Sequence, residues 1–131
     1  MTSRPLQAPS LTVFYNTRCP VCDYGVSRQA SLLRPAVESG EVAFRDINLE
    51  PQALCAFGVT LEDIRKRLHA IDGKGDLLVG ADVAIALWRL TPGQAWLAAW
   101  FGNRLFLPVT RLTYDGFARV LYSWNRRKGH W

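Results

Sequence analysis

Residues Val13–Gly25 read "VFYNTRCPVCDYG". The run Leu11–Tyr15 is β-branched and aromatic, which reads as a buried strand. It ends in a polar turn, Asn16 to Arg18. Two cysteines follow, Cys19 and Cys22, with Pro20 between them. Proline suits the first position of a helix, where its missing N–H costs nothing. A helix is therefore predicted from Pro20 to about Glu38, disturbed at Pro35 and stopped at Ser39-Gly40. Cys19 is expected at its start, where unpaired N–H groups and the helix dipole stabilise a thiolate. Cys22 then lies one turn inside.

Working outward, "EVAFRDINL" alternates Val42, Phe44 and Asp46 against Ala43, Arg45 and Ile47, which reads as a second strand. Strand, helix and strand suit a parallel crossover. "PQALCAFG" is predicted as a short helix ended by Gly58, and Thr60 with Asp63 as a capping box for "LEDIRKRL". Leu68–Asp72 and Asp76–Val79 read as a hairpin around Gly73–Gly75. Asp82 is placed to cap a helix "VAIALWRL", broken at Thr91-Pro92-Gly93. "QAWLAAWF" follows, and Pro108 opens a last helix to about Arg127, with Phe117, Val120, Leu121 and Trp124 on one face. The order predicts an α/β domain with a thioredoxin-like βαβ–α–ββ–α core and a helical C-terminal extension. Residues 1–10 read as a disordered tail and 11–90 as the core. Residues 91–131 read as a helical, Trp-rich, basic extension packed on the same domain.

The bulk numbers fit this reading. A chain of 131 residues, 49% hydrophobic, suits one domain with its own core. Three cysteines are too few, and odd in number, for a secreted disulfide framework. "MTSRPLQAPS" has no apolar h-region and no run is long enough to span a membrane, so a cytoplasmic location is expected. The net charge of +5 is unevenly spread. Residues 1–82 carry 9 basic and 10 acidic side chains, whereas residues 83–131 carry 7 and 1, along with all five tryptophans. No recognisable module accompanies the basic excess, so a nucleic-acid partner is not expected.

Three readings of the cysteine pair compete. As a redox dithiol, Cys19 is the nucleophile and Cys22 the resolving thiol, with Arg18 favouring the thiolate and Asp23 opposing it. As half of a zinc site, the pair needs two more ligands, and Cys55, His69 and His130 are not paired at metal spacing. The third reading is a pair of buried structural cysteines. Strand before and proline within favour redox chemistry, with no metal. Cys55, in an apolar segment, reads as a small core residue. His69 reads as a hydrogen-bonded core or groove histidine. Trp96 and Trp100 share a helical face and read as core packing or helix docking, the alternative being a membrane or partner surface.

Tyr15-Asn16-Thr17-Arg18-Cys19-Pro20-Val21-Cys22 resembles the Y-D-G-x-C-P-x-C hallmark of the DCC family of thiol-disulfide oxidoreductase-like proteins. "LHAIDGKGDLLVGAD", ending in Gly80-Ala81-Asp82, resembles the family's apolar hairpin and following loop. Pro108, Tyr122, Asn125 and Arg126 resemble its closing helix. The resemblance implies a thioredoxin-like fold and dithiol-disulfide activity on protein or small-molecule thiols and disulfides. No bound cofactor is expected, and glutathione is a candidate co-substrate. Asn16 stands where the family has Asp. It can hydrogen-bond but cannot carry the Cys22 proton. No proline lies between Pro51 and Pro92 to serve as the proline that thioredoxins place before the hairpin. The segment at Leu68-His69 and the loop Gly80-Ala81-Asp82 are therefore expected to wall the groove opposite Cys19, offering backbone groups to an extended peptide or glutathione. The rival readings are a glutathione-linked reductase and a non-catalytic module that binds a partner or membrane surface.

Overall fold

The computed structural model describes residues 9–130. Most of the expected N-terminal tail, residues 1–8, and Trp131 lie outside this range. Ser10, assigned to the tail, is tied down: its N–H donates to the Glu41 carbonyl at 2.8 Å.

Among the described residues a four-stranded sheet is ordered β2-β1-β3-β4. Strand β1 (Leu11–Tyr15) pairs in parallel with β2 (Val42–Asp46) and antiparallel with β3 (His69–Asp72). The β3 strand in turn pairs antiparallel with β4 (Leu77–Val79). The period of two in each strand sorts its side chains onto two faces. Leu11, Val13, Val42 and Ala70 join Leu33, Val83 and Leu87 in one core cluster. Phe14, on the opposite face of β1, joins Ile47, Leu54 and Ile64 in the other. Helices therefore cover the sheet on both sides, as in a thioredoxin-like α/β fold.

The long first helix is two pieces. Helix α1 (Pro20–Leu32) ends at Leu33, and α2 (Arg34–Glu38) follows directly. Pro35 has no N–H for the carbonyl four residues back, so the interruption falls just before it. "PQALCAFG" forms a single 3-10 turn at Cys55–Phe57 rather than a helix, closed by Gly58 at φ +74°. Cys55 is exposed there, which corrects its reading as a core residue. Both hydrogen bonds of the Thr60/Asp63 capping box are present at the start of α3 (Leu61–Lys66).

Helix α4 (Ala81–Leu90) begins two residues earlier than expected, with Gly80 rather than Asp82 at the cap position. Gly80 has φ +66°, a backbone conformation that calls for glycine. Asp82 instead accepts two bonds from the Arg111 guanidinium, each 3.1 Å. Helix α5 (Ala95–Phe101) follows, and α6 (Leu107–Lys128) spans about 33 Å at ~1.5 Å per residue.

The buried side of α6 is not the predicted one. Phe117, Val120 and Trp124 are exposed, while Ala118 and Asn125 are buried. Polar contacts decide the rotation. The Tyr114 hydroxyl accepts from the Leu68 N–H at 3.1 Å, Tyr122 bonds Glu62 of α3, and Arg67 meets Asp115 at 3.4 Å. Trp96 and Trp100 are exposed as well, 61% and 59%, so neither is core packing.

Candidate active site

Cys19 occupies the N-cap of α1, with extended backbone (φ −88°, ψ 111°) and Pro20 in the first turn. Its sulfur accepts the Cys22 N–H at 3.3 Å, the service a serine or aspartate oxygen performs at an ordinary cap. An acceptor held by a helix N-terminus gains most from being negative. The Cys19 thiol is accordingly lowered from 9.0 to about 6, first by the hydrogen bond from the Cys22 thiol. The Cys22 N–H, the Asn125 side chain and the Val21 N–H add to this against the opposing effect of burial. The Cys22 thiol is pushed up, first by donating to Cys19, then by burial and by the charge on Cys19. Arg18, expected to favour the thiolate, is exposed and is not among the leading causes. Both thiols are free.

Cys19 is only 2% exposed, whereas Cys22 is half-buried and lines a cavity of about 350 Å³. Apolar side chains of α1, α3, α4 and α6 form most of its wall, among them Val26, Ile64, Trp88 and Phe117, with Arg28 and Lys66 also lining it. Asn16, Val21 and Asn125 line the cavity beside Cys22.

Asn16 is 3% exposed and well anchored. Its Oδ1 accepts from the Arg18 N–H at 3.0 Å and from Asn48 Nδ2 at 2.9 Å. Asn48 Nδ2 also reaches Thr17 Oγ1 and Asp46 Oδ1, and the Thr17 hydroxyl donates to Asp46 at 2.8 Å. Burial pushes Asp46 up, but the Asn48 and Thr17 donors hold its carboxyl below the usual carboxylate range. This network fixes the turn that carries the chain from β1 into the dithiol. Among the described residues Asn16 Nδ2 has no hydrogen-bond partner.

The expected opposite wall is only partly there. Leu68 lines the cavity, but His69, Gly80, Ala81 and Asp82 are not part of its lining. Nor does Leu68 offer backbone groups to a peptide: its N–H goes to Tyr114 and its carbonyl accepts the Gly80 N–H at 2.8 Å. His69 is buried in β3, paired with Phe14 on one side and Val79 on the other. Its Nδ1–H donates to the Arg67 carbonyl at 3.0 Å, and burial lowers its pKa from the ordinary 6.5, which favours the neutral ring.

Asn125 is the site residue that the motif around the dithiol does not announce. It is 1% exposed on α6, its side chain is among the causes that lower the Cys19 thiol, and its Oδ1 meets His130 Nδ1 at 2.6 Å. The signal for it lay in the Asn125-Arg126 pair of the closing helix, more than a hundred positions away. Tyr114, which carries the Leu68 bond and lines the same cavity, had no signal of its own. Burial pushes its phenol up to about 12. Among the described residues no group of three metal-ligating side chains comes together, and no helix is long and apolar enough to cross a membrane.

A parallel-then-antiparallel sheet with a Cys-Pro-Val-Cys pair at the first helix's N-terminus defines a thioredoxin-like protein carrying a dithiol. The chain belongs to the DCC1-like thiol-disulfide oxidoreductase family, whose model matches residues 13–127. No curated protein and no solved structure gives a significant match.

Proposed function

We propose that the protein is a thiol-disulfide oxidoreductase in which Cys19 attacks and Cys22 resolves. The observation that carries this reading is the 3.3 Å approach of the Cys22 N–H to the Cys19 sulfur at a helix N-terminus. In the first step the Cys19 thiolate attacks a substrate disulfide. A Cys19–substrate disulfide forms and the other substrate sulfur leaves as a thiolate. In the second, Cys22 attacks the Cys19 sulfur, the Cys19–Cys22 disulfide forms, and the second substrate thiolate departs with the proton that Cys22 gives up. Two protein thiols are oxidised and one disulfide is reduced. A cellular thiol, glutathione as co-substrate, restores the dithiol by the reverse exchange. The expected partners are protein or small-molecule thiols and disulfides in the cytoplasm.

In this reading substrate approaches through the cavity that Val21, Cys22 and Asn125 line, while the Cys19 sulfur is buried. Attack on a bulky disulfide requires these side chains to shift. Asn16 Nδ2 is a buried donor without a partner, available to a substrate acceptor only if the site opens. The absence of a carboxylate at Asn16 favours a second reading, a glutathione-linked cycle that runs on Cys19 alone.

Two variants separate the readings. Cys19→Ser abolishes exchange in both, and full activity in that variant overturns the assignment of the nucleophile. Cys22→Ser accumulates a mixed disulfide under the dithiol scheme, whereas sustained glutathione-dependent turnover selects the second reading.

A further inference from the structure

A group of exposed large apolar side chains lies where α5 meets α6. Trp96, Trp100, Leu105, Phe106, Val109 and Leu112 are all exposed, Leu105 at 84%. Scattered apolar side chains on a surface need no explanation, but a contiguous group of large ones does. These are held in place. Asn103 Oδ1 accepts the N–H groups of Leu105 (2.8 Å) and Phe106 (3.1 Å), fixing the turn that presents Leu105. Thr110 Oγ1 donates to the Phe101 carbonyl at 2.8 Å, closing α5 onto α6. Trp100 packs on Phe106 and Trp88 on Phe101, each with ring centroids 5.9 Å apart. Beneath them is a second apolar cavity of about 350 Å³, walled by Trp88, Phe101, Phe106, Val109 and Phe117.

The charge around this hairpin is predominantly basic, with Asp82 paired to Arg111. From Val83 to Tyr114 there is no acidic residue, while Arg89, Arg104 and Arg111 are present. Arg119, Arg126, Arg127 and Lys128 continue the excess along α6 with Asp115 as the only acid. A second copy docking here by two-fold symmetry would set a net basic face against itself, because the nearby carboxylates Asp82 and Asp115 are already engaged by Arg111 and Arg67. An anionic bilayer meets both halves of the pattern: arginine pairs with lipid phosphate, and tryptophan and leucine enter the headgroup–acyl boundary.

We propose that the α5–α6 hairpin is a peripheral membrane-docking surface that seats the protein on anionic phospholipid, with Leu105, Trp100 and Phe106 entering the interface. It lies apart from the dithiol and does not depend on the redox reading. The purified full-length chain is floated with phosphatidylcholine vesicles and with vesicles containing about 30 mol % phosphatidylglycerol. The anionic vesicles are expected to carry the protein, the neutral ones far less, and added salt is expected to weaken binding. Leu105→Asp and a Trp96→Ser/Trp100→Ser double variant, each checked for an unchanged Cys19 titration, are expected to lose roughly tenfold or more in partitioning. Cys19→Ser/Cys22→Ser is expected to bind as well as the parent. Absence of binding to either vesicle overturns the proposal. So does concentration-dependent self-association that Leu105→Asp removes, because the occupant of the face is then a second copy.

Discussion

The backbone N–H of Cys22 donates to the sulfur of Cys19 at 3.3 Å, so the nucleophile proposed here is also the cap of the helix that carries its partner. The geometry couples fold and chemistry. The sulfur that ends the helix is the one whose charge the helix stabilises.

The first consequence is a pH profile. With Cys19 lowered to about 6, its thiolate predominates at neutral pH and is lost as pH falls through that value. Alkylation of Cys19 followed by mass spectrometry is expected to show a midpoint near pH 6. Because the Cys22 thiol is the largest source of the lowering, Cys22→Ala is expected to move that midpoint toward the ordinary cysteine value of 9.0. An unmoved midpoint would mean that the N–H groups of the helix are sufficient by themselves.

Asn125 is expected to act through Cys19 rather than on substrate. Asn125→Ala removes a donor to the thiolate and leaves His130 without its bond, so the Cys19 midpoint is expected to rise. Denaturant unfolding of the same variant is expected to show a loss of about 1–3 kcal/mol for a buried polar partner removed. Loss of stability with an unchanged Cys19 titration would reduce Asn125 to a structural residue.

Asn16→Asp restores the acid that the family pattern carries at this position. Arg18 N–H and Asn48 Nδ2 already supply two donors to one side-chain oxygen, so the site can hold a carboxylate. The second oxygen would replace the unpartnered Nδ2 in the cavity lining shared with Cys22. A mixed disulfide on Cys19 is expected to resolve faster in this variant, read as a shorter lifetime in stopped-flow exchange. No acceleration would show that proton removal from Cys22 does not limit the step.

His69 gives the fold its own pH dependence. Burial holds its native pKa below 6.5, while the unfolded chain protonates near that value. The unfolded state therefore binds the extra proton first, and stability is full above about pH 6.5 and falls as pH drops below it. Chemical denaturation between pH 7 and 5 is expected to show this fall, and a smaller one in His69→Gln.

The parts of this molecule that follow local rules were legible in its sequence. Val13 and Phe14 announce a strand buried on both faces, Pro20 announces the helix start, and Thr60 with Asp63 announces the α3 cap. Lost from view were features set by tertiary contact. Helical spacing put Phe117, Val120, Leu121 and Trp124 on one face, but Tyr114, Tyr122 and Asn125 turn a neighbouring face inward, and only Leu121 of the four is half-buried. Asp82 looked like a cap because nothing local revealed Arg111 as its partner or the left-handed backbone at Gly80. The dithiol itself was plain, whereas its third member, Asn125, comes from a helix that only the fold brings across.

The most direct test of the proposed chemistry is the reduction potential of the Cys19–Cys22 pair, by titration against glutathione with mass-spectrometric readout. The account predicts a reversible two-electron couple between about −300 and −120 mV. Failure of these two cysteines to form a disulfide at any poise would contradict it.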